Sequence, residues 1–198
     1  MTFRIEQKLF IRKENLIQFQ ELLFQKKTQK LYQSRVIKSL YFDNLNLEMF
    51  NDSIEGMVPR KKIRIRNYPN SDDDKFYFEI KNSSVEGRFK SRKIIIEKEL
   101  NEKKSLGILD NQYGVCYPKL YVEYTREYSI IGNVRISIDR DIRYKDYKTN
   151  FQFNDDKVIV ELKTSIKKNL DELIKDFPME RIRFSKYCFA VQELYNFQ

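Results

Sequence analysis

Residues 60–66 read Arg-Lys-Lys-Ile-Arg-Ile-Arg, and nothing else in the chain restricts its fold as much. With a period of two they form a β-strand. Lys62, Arg64 and Arg66 fall on one face, Ile63 and Ile65 on the other. Cations on one strand face stand about 6–7 Å apart and repel one another. Such a row persists only beside water or an anion, while the isoleucine face needs a core. The strand therefore belongs to a sheet with one apolar and one charged side.

The same alternation recurs along the chain. Strands are expected over residues 2–12, 35–43, 59–68, 75–81, 88–97, 119–128, 133–141 and 157–163, although 119–128 alternates too poorly to assign its faces. Helical spacing of apolar residues marks 14–27, 44–52 (with Asn44 as a cap), 100–109, 170–177 and 185–197. Tight turns between successive strands favour antiparallel pairing. The charged faces carry Arg4, Glu6 and Lys8; Lys62, Arg64 and Arg66; Glu79 and Lys81; Lys90 and Arg92; Arg135 and Asp139; Glu161 and Lys163. Arg60 and Lys61 are expected to face solvent.

Charge and composition limit what such a face can serve. The 198 residues hold 38 Lys+Arg against 29 Asp+Glu, a net charge of +9 spread through the chain, which points to an anionic partner. There is no histidine, so His-based triads and His metal ligands are excluded. Cys116 and Cys188 lie far apart and imply neither a zinc site nor a disulfide framework, as expected in a reducing cytosol. No stretch approaches 18 apolar residues, so a soluble, cytoplasmic protein is expected, with attachment to a membrane through another protein left open.

One polar sheet face can simply be wet. Its richness in arginine, and helices apolar enough to cover the other face, favour closure with the charged face inward. The expected fold is α+β: a closed eight-stranded antiparallel β-barrel with helices packed outside, in a single domain over residues 1–198. Its interior would be a cationic tunnel suited to a linear polyanion.

Nine short motifs occur in order: Arg4-x-Glu6-x-Lys8-Leu9-Phe10, residues 39–44 (Ser-Leu-Tyr-Phe-Asp-Asn), residues 60–66, Phe78-Glu79-Ile80-Lys81, Lys90-Ser91-Arg92, Tyr124-Thr125-Arg126, Arg135-Ile136-Ser137-Ile138-Asp139, Val160-Glu161-Leu162-Lys163 and Arg183-Phe184-Ser185-Lys186-Tyr187. In this order the chain resembles the VTC domain, a polyphosphate polymerase module within the triphosphate tunnel metalloenzyme (CYTH-like) superfamily. The resemblance implies that Lys8, Lys62, Arg64, Arg66, Lys81, Lys90, Arg92, Arg126, Arg135 and Lys186 hold phosphates, with Tyr124 as a phosphate-contacting hydroxyl. Of these, Arg64, Arg66, Lys81, Arg126 and Lys186 would act in catalysis. Glu161, with Glu6 as a second candidate, would hold Mn2+ or Mg2+. Many superfamily members begin Glu-x-Glu-x-Lys; here Arg4 replaces the first acid, which fits the VTC branch.

The implied reaction moves the γ-phosphate of a nucleoside triphosphate such as ATP to the end of an inorganic polyphosphate chain. The alternatives are hydrolysis of tripolyphosphate or a nucleoside triphosphate in the same tunnel, and a polyphosphate-binding module without turnover. Blander readings exist for single residues. Glu6 and Glu79 can serve as neutralisers of neighbouring cations, Asp139 as a partner for Arg135 or Arg140, and Tyr41 and Asp43 as structural residues. Asp72, Asp73 and Asp74 read as a solvated turn. Most aromatic residues lie on apolar faces, which argues against nucleic acid. The oligomeric state is not legible, and translocation across a membrane would need other proteins.

Overall fold

A computed structural model describes residues 5–69, 75–165, 167–175 and 179–195. Arg4 and the Asp72–Asp74 turn lie outside the described residues. In chain order the elements are β1 (Ile5–Ile11), a single 3-10 turn (Lys13–Asn15), α1 (Leu16–Gln25), β2 (Gln29–Asp43), α2 (Glu48–Glu55), β3 (Arg60–Asn67), β4 (Phe76–Ser84) and β5 (Gly87–Ile95). They continue with α3 (Glu97–Leu106), β6 (Ile108–Asp110), β7 (Gly114–Ile131), β8 (Val134–Asp146), β9 (Gln152–Asp155), β10 (Val158–Thr164), α4 (Lys167–Lys175), β11 (Glu180–Arg181) and α5 (Lys186–Tyr195).

The α+β class stands, but the closed eight-stranded barrel does not. Among the described residues eleven strands share one sheet in the order β11-β1-β10-β8-β7-β2-β3-β4-β5, with β6 on β7 and β9 on β8. The path has two ends, so hydrogen bonds do not close it. The extra strands, β6, β9 and β11, are two to four residues long, too short to show alternation. β2 starts six residues before its expected onset because its first part, Gln29 to Arg35, is largely exposed and carries no apolar period.

The chain forms two compact units: Met1–Val36, Tyr124–Ile142 and Asn154–Phe184, and Ile37–Glu123, Arg143–Phe153 and Ser185–Gln198. In the first, β1, β10 and β8 pair antiparallel, with Lys8 opposite Glu161 and Glu161 opposite Ser137. Leu9, Ile11, Val134, Ile136, Ile138, Val158, Val160 and Leu162 turn to one face. Phe19 and Leu23 of α1, with Leu170, Leu173 and Ile174 of α4, cover that face. Each fully buried Leu, Ile or Val contributes about 1.5–3 kcal/mol.

In the second unit, β3 pairs with β2 and β4, and β4 with β5. Ile63 and Ile65 join Leu40, Phe42, Met49, Ile95, Leu100, Ile108, Tyr113 and Cys116 in a core partly roofed by α2 and α3. Two side chains prepare the start of α2. Asn44 Oδ1 accepts from the Glu48 amide at 3.0 Å, and the Asp43 carboxylate accepts from those of Met49 and Phe50 at 3.1 and 3.0 Å. These are amides a helix cannot satisfy internally. The helix thus begins three residues later than an Asn44 cap implies, with Leu47 in the capping position and Asn44 serving its first amide from outside.

Candidate functional site

Two clusters of charged side chains lie on the sheet faces opposite these cores, one in each unit.

In the second unit the strand register lines up Tyr41, Arg64, Glu79 and Arg92 across β2, β3, β4 and β5. The neighbouring row is Lys62, Lys81 and Lys90. Glu79, 1% exposed, is the carboxylate around which the cations gather. Its Oε2 accepts from Arg64 Nε at 2.8 Å and lies 2.7 Å from Arg64 Nη2. Its Oε1 lies 2.5 Å from Lys90 Nζ and 3.5 Å from Arg92 Nε. Burial works to raise the Glu79 carboxyl, but Arg64, Arg66 and Lys90 outweigh it and hold it at about 2. Lys90 is lowered from the usual lysine range, first by burial and further by Arg64 and Arg66, against the pull of Glu79.

The surrounding contacts fix the other cations. Arg66 is buried and donates from Nε to Ser39 Oγ at 3.0 Å. Lys62 Nζ donates to Ser185 Oγ at 2.9 Å, and Lys186, the next residue, opens α5. The Arg92 guanidinium sits 3.6 Å from the Tyr77 ring centre, a stacked cation–π arrangement. The two rows thus bring five cations to the sheet face that holds Glu79, and Arg66 adds a sixth one row further along, a strongly anion-seeking arrangement. Lys61 and Arg60 are not simply solvated. Lys61 Nζ holds both Asp110 oxygens at 2.9 and 2.8 Å, and Arg60 Nη1 donates to the carbonyls of Gly56 and Met57 at 3.1 and 2.7 Å.

In the first unit the cluster centres on Arg126. It forks Asp139, Nε to Oδ1 at 2.5 Å and Nη2 to Oδ2 at 2.7 Å, and its Nη2 lies 3.6 Å from Glu161 Oε2. Tyr124 packs its ring 5.3 Å from the same guanidinium. Asp139 therefore pairs with Arg126, not with Arg135 or Arg140; Arg140 holds Glu127 and Asp141. Lys8 Nζ donates to the Phe184 carbonyl at 2.7 Å. Arg135 is exposed and stands opposite Lys163 in register.

Glu161 carries the contacts of a cation-binding group. Lys163 Nζ lies 2.6 Å from its Oε1, and Glu6 is in side-chain hydrogen-bond contact with it. Burial tends to raise this carboxyl, yet Arg126, then Glu6, Lys163 and Lys8 hold it well below the usual range. Two carboxyl groups in contact need a proton or a cation between them. No group of three or more His, Cys, Asp or Glu side chains placed to hold a metal ion occurs among the described residues. A pair of carboxylates nevertheless fits Mg2+ or Mn2+, hard ions that take one or two protein oxygens and complete their shell with water and phosphate.

The motif residues are thus sorted into two sets: Lys62, Arg64, Arg66, Lys81, Lys90, Arg92 and Lys186 in one unit, and Glu6, Lys8, Tyr124, Arg126, Arg135 and Glu161 in the other. Sequence reasoning gives no site role to Lys163, Ser39, Ser185 or the contacts of Tyr41. Lys163 has a signal, since it stands two residues from Glu161 on the same strand face. Ser39 and Ser185 lie within the ordered motifs, but their contacts depend on cross-strand register and on the start of α5.

Solved structures share this fold. A crystal structure from Bacillus halodurans, described as a candidate adenylate cyclase, matches with a TM-score of 0.64 at 13% identity, over 98% of this chain and 100% of that one. A Hippeastrum protein whose dominant activity is that of a triphosphatase matches with 0.58 at 15% identity, over 98% and 96%. A candidate adenylate cyclase from Vibrio parahaemolyticus matches with 0.56 at 14% identity, over 94% and 96%. At such identities the likeness shows the fold alone. No curated protein matches the sequence. The family is shown by a different comparison: the VTC domain model matches residues 3–195. The chain belongs to the VTC domain family, in agreement with its nine ordered motifs.

Proposed function

We propose that this VTC domain is a metal-dependent polyphosphate polymerase, which passes the γ-phosphate of a nucleoside triphosphate to the end of a growing polyphosphate chain. The observation that carries the reading is the Glu79 cluster, where Arg64, Lys90 and Arg92 share one carboxylate and Lys62, Arg66 and Lys81 lie on the same sheet face, across three strands. Charge-assisted hydrogen bonds are worth about 1.5–3 kcal/mol each, so several hold a polyphosphate firmly. Arg64 and Arg66 fork phosphate oxygens in a plane; Lys62, Lys81, Lys90 and Lys186 add movable point charges.

In the other unit Lys8, Tyr124, Arg126 and Arg135 are the proposed phosphate-contacting groups. Glu161 with Glu6 would hold Mn2+ or Mg2+, which when bound would neutralise phosphate charge. In-line transfer to an acceptor phosphate that is already ionised needs no general base, which suits a chain without histidine. The cations read phosphate and not the base, so nucleotide preference is expected to be weak. The family model spans both units, which supports treating residues 1–198 as one functional domain. No helix among the described residues is long and apolar enough to cross a membrane.

The Hippeastrum relative supports a second reading, hydrolysis of a triphosphate by the same cations. Incubation of the protein with ATP and Mn2+, followed by separate assays for long-chain polyphosphate and free phosphate, decides between them. Polymer is the expected product. Free phosphate alone means hydrolysis. Neither product, with melting still raised by tripolyphosphate, means a binding module without turnover.

A further inference from the structure

Tyr41 sits inside the Glu79 cluster with its hydroxyl against Arg64, and the family resemblance gives it no role. Arg64 Nη1 donates to this hydroxyl at 3.0 Å. The guanidinium is therefore held from two sides, by Tyr41 through Nη1 and by Glu79 through Nε and Nη2. Among the described residues this is the one hydrogen bond at the Tyr41 hydroxyl, and there the hydroxyl accepts. Its own proton is left to give.

The ring is tightly fixed. It stacks on Tyr187 with centroids 5.2 Å apart and planes 19° from parallel. The Tyr187 hydroxyl donates to Asp43 Oδ2 at 2.5 Å, and Asp43 is tied in turn to the first amides of α2. Tyr41, Tyr187 and Asp43 are all buried. A phenol this constrained, 7% exposed and set beside arginine, is costly unless its donor finds an acceptor. The acceptor chemistry that suits such a place is an anionic oxygen.

We propose that Tyr41 is a further phosphate-binding residue, which donates its hydroxyl to the phosphate oxygen held by Arg64. The proposal rests on the phosphate-binding reading given above and adds a residue to it. Arg64 and Tyr41 then present one cationic and one neutral donor side by side, a pairing that orients a phosphate instead of only attracting it.

The electrostatics supply a signature. Burial alone would raise the phenol, but Arg64, Arg66 and Lys62 bring it down to about 8. Below that value the hydroxyl donates; above it, the phenolate donates nothing and adds a negative charge beside Arg64. The groups around it are Lys62, Arg64 and Arg66 on β3, Glu79 on β4 beyond Arg64, and Tyr187 on α5 with Asp43 of β2 behind it. All of them remain in a Tyr41→Phe variant, so the difference between the two proteins isolates Tyr41.

The test measures tripolyphosphate binding by calorimetry on the full chain between about pH 6.5 and 9.5, for the wild type and Tyr41→Phe. At about pH 6.5 the variant is expected to bind on the order of tenfold more weakly. That deficit should close as the pH rises through about 8, because the wild type loses its donor. A pH-independent deficit means a structural role only and overturns the proposal, as does equal binding throughout. No binding by the wild type at any pH defeats the phosphate reading itself, a separate result. A second measurement needs no variant. Phenolate absorbance of the wild type at about pH 8.5 should fall when tripolyphosphate is added, because a donating hydroxyl resists ionisation. Unchanged or increased absorbance on saturation overturns the proposal even if Tyr41→Phe does not fold.

Discussion

Arg126 and Asp139 form a two-pronged ion pair, with contacts of 2.5 and 2.7 Å and side chains only 16% and 1% exposed. A buried pair of this kind is weak evidence for net stability, but breaking it from one side is expensive. Asp139→Ala leaves the Arg126 charge buried with only Glu161 at 3.6 Å to answer it. The variant is expected to lose about 3–5 kcal/mol in urea denaturation. An Arg126→Met, Asp139→Ala double variant should recover a large part of that loss.

Glu79 gives the protein a predictable acid limit. Its folded-state value of about 2 lies below the ordinary 4.5, so its stabilising contribution is complete above pH 4.5 and fades as the pH falls toward 2. A shift of this size is worth about 3 kcal/mol. Urea melts of the wild type and Glu79→Gln should differ by that order at neutral pH, and the gap should narrow through this window. If the cluster holds phosphate as proposed, the same variant removes a competing carboxylate, so its tripolyphosphate affinity should rise while its stability falls. A drop in both would mean that Glu79 mainly holds the cations in place.

Polyanion binding should stabilise the chain. At 100 times its dissociation constant, tripolyphosphate is expected to add about 2.7 kcal/mol. Added salt should reduce the effect, because partly exposed cations such as Lys90 and Arg92 are readily screened. Arg64→Ala should lose most of the thermal shift. A shift insensitive to both salt and Arg64→Ala would place binding elsewhere.

Glu161 is the residue expected to separate binding from turnover. Glu161→Gln keeps the shape of the side chain but removes the charge that faces Lys163 and Arg126. Turnover with ATP and Mn2+ is expected to fall by a factor on the order of a hundred or more, while tripolyphosphate still raises the melting temperature. Loss of both would assign Glu161 to the fold instead of the metal.

The faces of the central strands are legible in the residue pattern alone. Lys62, Arg64 and Arg66 do share a face opposite buried Ile63 and Ile65, because strand periodicity is local and strict in its alternation. The long strands are harder to read. β7 runs for 18 residues, Gly114–Ile131, and from Cys116 to Tyr124 its burial alternates cleanly. Its buried side includes Pro118 and Tyr124, which a hydropathy pattern does not rank with Leu120 and Val122. Lys61 reads as solvated because its partner, Asp110, is 49 residues away.

By itself the sequence determined which residues could share a strand face, the cationic excess without histidine, and the ordered motifs of the VTC family. Those follow from composition, from a two-residue period and from motif order. Only the tertiary structure decided that Glu79 serves Arg64, Lys90 and Arg92 together, that Asp139 belongs to Arg126, and that Tyr41 lies against Arg64 on a ring anchored through Tyr187 to Asp43. Each of these depends on register between strands or on a helix from the far end of the chain. Register fixes which charges touch, and a single residue's slip would turn every one of them to the other face.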